Sequence, residues 1–408
     1  MIKQCMEEIL EIQGYSIQGM AKYKSQIYIH LQKTGQEYVC PFCGMVSCIY
    51  YDKRRAVVED MPICRKRSFL VFNKHRIFCT CCGKVVTEHL DFVEPKRRYT
   101  TRFEQLIGML CKEMTVKAVS EFTGLHWEVV RNIDRKFIEA SLKQIDWNTI
   151  TEISIDEVSY RRRHKYFTII SDRKTRRVIK ILKGRKAKVI SNFFKSLDKD
   201  TRSRITLVTM DMWKAYRKAV RKWLPKAVIV FDKFHIMSHL NRAIDKVRIA
   251  EQRRLEREGY LVLKKSRWLL ITNRTSLSLE RKERLNNLCK ENNMIYQCYL
   301  FKERFRYIFS RLSRRHGKVR LATWVKDVRD SGIEPFINFV KMLLRWYRGI
   351  ISYFDYPVTN SLAEGLNNVI GTVIKKAYGY KDLEYLKLKI MQQQMCRVAW
   401  GCCQPQAP

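Results

Sequence analysis

Four carboxylates are the residues of this chain whose types and spacing first suggest chemistry. Three short apolar runs each end in an aspartate: Ile153-Ser154-Ile155 before Asp156, Ile205-Thr206-Leu207-Val208-Thr209-Met210 before Asp211, and Val228-Ile229-Val230-Phe231 before Asp232. Such runs, bounded by polar residues, read as buried strands. A carboxylate ending one of them lies at the rim of a sheet, where open α/β folds bind ligands. One such ending is an ordinary strand terminator or helix cap, but three in succession point to a metal site. Two nearby carboxylates raise each other's pKa unless a cation lies between them, and hard oxygen donors select magnesium or manganese. The fourth carboxylate, Glu364, stands in Thr359-Asn360-Ser361-Leu362-Ala363-Glu364-Gly365-Leu366-Asn367-Asn368. There Ser361-x-x-Glu364 also fits a helix capping box.

Thiolates form a second constellation. Cys40-Pro41-Phe42-Cys43-Gly44 and Cys79-Thr80-Cys81-Cys82-Gly83 each contain C-x-x-C followed by Gly, the shape of a zinc knuckle. Two knuckles supply four sulfurs for a closed tetrahedral site, with Cys40, Cys43, Cys79 and Cys82 as ligands. Cys81 is a substitute ligand, while Cys48, Cys64 and His75 read as bystanders. The competing reading is a set of reduced, buried cysteines without metal.

The setting of both groups is strongly basic. Against 40 Asp and Glu the chain carries 80 Lys and Arg, a net charge of +40 distributed along its whole length. Folded domains with that charge suit a long phosphate backbone. No apolar run reaches the roughly 18 residues of a membrane span, and the N-terminus lacks a signal pattern. A reducing, cytoplasmic setting is expected, in which the 14 cysteines are thiols or metal ligands. A hydrophobic content of 46% supports several globular domains.

Elements must position these groups. Residues 1–35 hold no sharp motif, and the segment between the knuckles reads as strands of a zinc ribbon. A basic linker containing Arg97 and Arg98 precedes a helix from Arg102 to about Cys111. Helical periodicity then flanks Gly124, which is a helix-turn-helix pattern or an ordinary helical hairpin. On the first reading Lys117, Trp127, Arg131 and Arg135 are candidate DNA contacts, with Arg97 and Arg98 beside them. Strands are expected at about 152–158, 164–171, 176–182, 204–210 and 227–232, with helices at 187–197 and 213–222. The order βββαβαβ resembles a ribonuclease-H-like core, in which the Asp156 and Asp211 strands are parallel neighbours. Asp232 also ends a strand, one place farther out, and the Phe234-His235 pair after it suits a supporting role for Asp232 and His235. Helices rich in basic and aromatic residues then run to about residue 350.

Taken in chain order, these pieces resemble insertion-sequence transposases of the DDE class, specifically the ISL-three group. The marks are the ribbon from Cys40 to Cys82, the helices near 115–135, Ser154-Ile155-Asp156-Glu157 and Asp211-Met212-Trp213-Lys214-Ala215-Tyr216. Val230-Phe231-Asp232-Lys233-Phe234-His235, the Thr359–Asn368 motif and Lys376-Ala377-Tyr378-Gly379-Tyr380 complete them. Gly371-Thr372 departs from the group, where a basic residue is expected. The resemblance implies a multidomain α/β protein: zinc ribbon within 1–94, helix-turn-helix in 95–150, and a ribonuclease-H-like core in 151–235 and 356–408 interrupted by an all-helical insertion at 236–355. It implies binding of terminal inverted repeats, DNA cleavage and joining to target DNA, by a homodimer or larger assembly at the bacterial nucleoid. Asp156, Asp211 and Glu364 would hold two magnesium (or manganese) ions, with Asn360 in a supporting role and zinc confined to the ribbon. A DNA-binding regulator with an inert core, or a nuclease that cuts without joining, are the alternatives.

Overall fold

The computed structural model describes residues 10–47, 49–142, 145–161, 165–311, 314–358, 361–377 and 379–402. The chain divides into two compact units, Met1–Lys143 with Lys375–Pro408, and Gln144–Ile374.

In the first unit, alternating apolar residues build a five-stranded sheet. Its members are β1 (Tyr15–Lys22), β2 (Gln26–Lys33), β5 (Tyr50–Ile63), β6 (Lys66–Cys79) and β7 (Lys84–Thr87), while β3 (Tyr38–Val39) and β4 (Val46–Ser47) pair separately. The sheet order is β1-β2-β6-β5, with β7 on β6. Strands β1 and β2 lie in the stretch expected to lack a motif. Ile27, Ile29 and Leu31 point one way along β2 and are buried with Leu70 and Phe72 of β6, the period of two that marks a half-buried strand. The long β5–β6 hairpin turns at Cys64 and Arg65, both left-handed at φ 47° and 62°, as a tight twisted hairpin requires.

Three helices follow, Thr101–Glu113, Val116–Thr123 and Trp127–Ser141. Local chemistry sets their ends. Thr100 and Thr115 accept from the amides of Phe103 and Ala118, and Gly124 closes the middle helix in the left-handed region at φ 72°. Phe103, Ile107, Val119, Leu125, Val130 and Ile133 are their common core. Gly108, mid-helix, admits the Phe137 ring so closely that a Cβ would lie 2.2 Å from it. The C-terminal helix Leu383–Cys402 joins this unit by packing on Trp127–Ser141. The segment after Lys375 was expected to continue the catalytic core; it clusters instead with the helix-turn-helix.

The second unit contains β8 (Glu152–Arg161), β9 (Lys165–Asp172), β10 (Val178–Lys183), β11 (Leu207–Met210) and β12 (Val228–Phe231) in the order β10-β9-β8-β11-β12. The β10–β9 and β9–β8 pairs are antiparallel, whereas β8–β11 and β11–β12 are parallel. Helices Ala187–Ser196 and Lys214–Trp223 make the crossovers, and an unforeseen short helix, Lys199–Arg204, is capped by Asp198. From Lys233 the chain is helical through Ile351 apart from short breaks. This region was expected to begin after residue 235, but Asp232 caps its first helix directly. Its core is continuous with that of the sheet: Val208, Val230 and Phe231 join Phe305, Trp324, Phe336 and Phe339.

Candidate functional site

Strand register brings the three aspartates into one row. Met210 is opposite Ile155 on β8 and opposite Phe231 on β12. The next rung therefore holds Asp156, Asp211 and Asp232; β11 and β12 end there and the chain turns into helices, whereas β8, expected to end its apolar run at Asp156, continues paired with β9 to Arg161. Neighbouring strands are about 4.8 Å apart, so Asp211 in the middle has an aspartate on either side.

The environments differ along the row. Asp156 is 8% exposed; its carboxylate accepts from the Glu157 amide at 2.8 Å and from Asn367 Nδ2 at 3.1 Å. Burial first, and the Asp211 charge second, push its pKa up to about 6. Asp211 lies 3.0 Å from His235 Nε2. That contact is the main reason the His235 pKa is raised against the opposing effect of its burial. Asp232 is buried and accepts from the Phe234 amide at 3.2 Å, so it fixes the first turn of the helix that carries His235. Donor atoms of Asp211, Asp232 and His235 all lie within 4.8 Å of one another. Beside the row, Arg185 sits 3.2 Å from Glu157 and stacks over Tyr166 and Trp213 at 4.3 and 5.3 Å.

Glu364 falls on the helix Ser361–Lys376, but its side chain, like Asn360 as a whole, lies outside the described residues. Asn367, three residues farther on, was not singled out from the sequence, although it belongs to the same motif. An asparagine on the polar side of a helix carries no signal of its contact with an aspartate 211 positions away. The paired, oxygen-rich and partly desolvated carboxylates fit a hard divalent cation, which would relieve the repulsion raising the Asp156 pKa.

The cysteines converge independently. Sγ atoms of Cys40, Cys43, Cys79 and Cys82 lie within 4.8 Å of one another. The Cys40–Cys82 and Cys43–Cys79 separations are 3.9 and 3.6 Å. Tetrahedral zinc with bonds of about 2.3 Å requires sulfurs about 3.8 Å apart, so the arrangement fits that ion. The amides of Gly44 and Gly83 donate to the Cys40 and Cys79 carbonyls at 3.0 and 2.8 Å, with both glycines left-handed. Hydrogen bonds from the Cys43 and Phe42 backbone hold the Cys40 thiol down at about 7, toward the thiolate a metal needs. Cys64 and Cys81 are exposed thiols outside the cluster, His75 pairs with Glu88 at 2.8 Å, and Cys48 is outside the described residues.

On the helix-turn-helix, Arg131 lies over the Trp127 ring at 5.2 Å, one turn along the third helix. Trp127 is 46% exposed. Lys117 is exposed and 3.8 Å from Glu121. Arg135 is engaged by Glu139 and Asp382, both at 3.7 Å, and Arg97 lies 3.6 Å from Glu104. Arg98 is exposed, just before the Thr100 cap.

Among the described residues no helix is long and apolar enough to cross a membrane. A family model described as "Transposase" matches residues 153–390, and one described as "Helix-turn-helix domain of transposase family ISL3" matches residues 88–138. The chain is 30% identical over 394 residues to the transposase for insertion sequence element IS1001 of Bordetella parapertussis, covering 95% of this chain and 97% of that protein. It is 25% identical over 342 residues to the transposase for insertion sequence element IS1557 of Mycobacterium tuberculosis, covering 78% and 77% of the two chains. The match spans both the helix-turn-helix and the unit holding the aspartate row, and the chain belongs to the ISL3 family of insertion-sequence transposases.

Proposed function

We propose that the protein binds the terminal inverted repeats of its insertion sequence, cleaves DNA at the element ends and joins the 3′-hydroxyl ends to target DNA. The observation that carries this reading is the row of aspartates across three adjacent parallel strands, with Asp156 raised to about 6 beside Asp211. The strand order and mixed pairing of β8 to β12 support reading the sheet as a ribonuclease-H-like core, with the helices from Lys233 to Ile351 as an insertion before its last helix.

Asp156, Asp211 and Glu364 would hold the divalent cations, magnesium or manganese. When bound, such ions activate an attacking oxygen and stabilise a leaving one in displacement at phosphorus. The remaining work belongs to the chain. The Glu157 amide and Asn367 orient the Asp156 carboxylate. His235 sets the direction of Asp211, and Asp232 anchors the turn that carries His235. Arg185, braced by two aromatic rings and balanced by Glu157, presents a guanidinium to the phosphate backbone beside the strand ends. Water attacks the scissile phosphate and exposes a 3′-hydroxyl, which then attacks target DNA in line, without a covalent protein intermediate.

The Trp127–Ser141 helix is the major-groove element, with Trp127 and Arg131 as its leading contacts and Lys117, Arg97 and Arg98 on the backbone. Zinc on Cys40, Cys43, Cys79 and Cys82 has a structural role, because four thiolates close its coordination sphere. Two copies, or more, act on the paired ends of the element. A labelled terminal-repeat duplex incubated with protein, magnesium and a target plasmid tests the reading through joined products. Binding alone would instead indicate a regulator with an inert core, and nicking alone a nuclease that cannot join.

A further inference from the structure

Outside the aspartate row, the second unit has an open groove of about 790 Å³ along the free edge of β12, between the Lys214–Trp223 helix and the Glu334–Arg345 and Tyr347–Ile351 helices. Four arginines line it, Arg217, Arg221, Arg345 and Arg348, and among the described residues no carboxylate does. Gathering four like charges into one concavity costs Coulomb energy that an anion returns.

The central arginine is held in place. The Arg217 guanidinium stacks over Trp346 at 4.2 Å and donates to the Arg345 carbonyl at 3.3 Å. Trp346 is in turn fixed edge-on to Phe231 at 5.2 Å, and Gly349 packs so tightly on Phe231 that a Cβ there would lie 2.4 Å from the ring. A guanidinium braced in this way loses little freedom when it grips a phosphate oxygen. Burial, then the Arg221 charge, lower the Arg217 pKa.

Among the described residues the groove offers few of the side chains that distinguish bases. Besides the arginines, its side-chain polar groups among the described residues are the Tyr347 and Ser352 hydroxyls and the Trp346 indole, with no Asp, Glu, Asn or Gln among them. Acceptors for adenine and cytosine amino groups come chiefly from those four types; arginine can also read guanine, but four guanidiniums with no such acceptor beside them suit phosphate, which they grip whatever the sequence. We infer that this groove is a sequence-independent seat for the phosphodiester backbone of target DNA, separate from the recognition of the element ends. The inference rests on the DNA-joining reading above. It is nevertheless tested by binding alone, so that an inactive protein would not decide it.

The experiment compares the full-length protein with Arg221→Gln/Arg348→Gln, both positions being exposed, on an unrelated duplex and on a terminal-repeat duplex across a salt titration. Each phosphate contact contributes about 0.9 to the log–log salt slope. The double variant should therefore lose up to about 2 in slope on unrelated DNA and bind it roughly tenfold more weakly or worse, with terminal-repeat affinity unchanged. In the joining assay the variant should lose joined products while end cleavage persists. A control with the same charge loss elsewhere, Lys195→Gln/Lys199→Gln, should leave the slope near that of the starting protein. An unchanged slope in the arginine variant overturns the site, and an equal fall in the control assigns the effect to bulk charge and overturns it too. An equal loss on both duplexes overturns the assignment to target DNA. Failure of the unvaried protein to cleave, with the slope difference intact, would sink the joining reading and not the groove.

Discussion

Asp211 is the middle member of its row, and that position makes its role separable from that of Asp232. Asp211→Asn should eliminate end cleavage while leaving end binding intact. Asp232→Asn keeps the helix cap, because asparagine caps as well as aspartate, and so tests the charge alone. It should slow cleavage but leave measurable product at high manganese. A dead Asp232→Asn protein beside an active Asp211→Asn protein would exchange the two roles. Asp156 makes a different prediction. Its carboxyl is raised from 3.8 to about 6 in the folded chain, so the folded state binds the proton more tightly than the unfolded state does. The Asp156 contribution to stability is therefore full below about pH 4 and is lost as the pH rises through 6 in metal-free buffer. The loss is at most about 3 kcal/mol, from roughly two pKa units at 1.36 kcal/mol each. Asp156→Asn should abolish this decline and melt higher than the starting protein at pH 8 without metal. Parallel melting curves from pH 4 to 8 would refute the raised carboxyl.

At the scale of elements, the two-residue strands β3 and β4 have almost no core of their own; Tyr38, Cys40, Ile77, Cys79 and Val86 form a small cluster around the four sulfurs. Zinc supplies on the order of 10 kcal/mol to small domains of this kind. Chelation or Cys40→Ser should therefore release the β3–β4 hairpin and abolish specific end binding, followed by amide exchange and a repeat-duplex shift. A DNA-competent protein whose native mass spectrum contains no zinc would contradict this. The third helix carries its own test. Arg131 reaches out over Trp127 from a helix whose opposite side is buried. Arg131→Ala should lower affinity for the terminal repeat much more than for unrelated DNA, by about 1–3 kcal/mol if it reads a base. Equal weakening on both duplexes would make it a backbone contact.

Across the whole molecule, the first unit contains both the N-terminal segment and the tail, and the second unit is inserted between them in the chain. The tail is tied down by a buried charge cluster. Lys389 donates to Asp134 at 3.1 Å, to the Cys111 carbonyl at 2.6 Å and to Gln392 at 2.7 Å, and the Tyr385 hydroxyl donates to the same aspartate. Asp134 is fully buried on the inner side of the third helix. Removing one partner of such a pair costs about 3–5 kcal/mol because the other charge is left stranded, whereas replacing both by apolar groups is far milder. Lys389→Met should lower the melting temperature of the first unit and weaken end binding, and Asp134→Leu/Lys389→Met should recover most of the stability. If the single variant melts like the starting protein, the tail is not part of the end-recognition unit.

Local features were legible because neighbours in sequence determine them. The apolar runs leading to Asp156, Asp211 and Asp232, the threonine caps, the left-handed Gly124 and the two C-x-x-C-G turns depend on side-chain type and backbone preference within a few residues. The aspartates, the sulfurs and the order of the five strands could therefore be read in advance. The alternation of β2, at Ile27, Ile29 and Leu31, is equally local, but its buried face is defined only by β6, which pairs with it from some forty residues later. Only tertiary structure decided what depends on register and long-range packing: the single row that makes Asp211 central, the reach of Asn367 to Asp156, the burial that raises Asp156, and the Lys389–Asp134 pair that draws the tail into the first unit. Each joins residues whose separation along the chain carries no local signature. Their interaction energies appear only after the core has brought them together and removed the water between them.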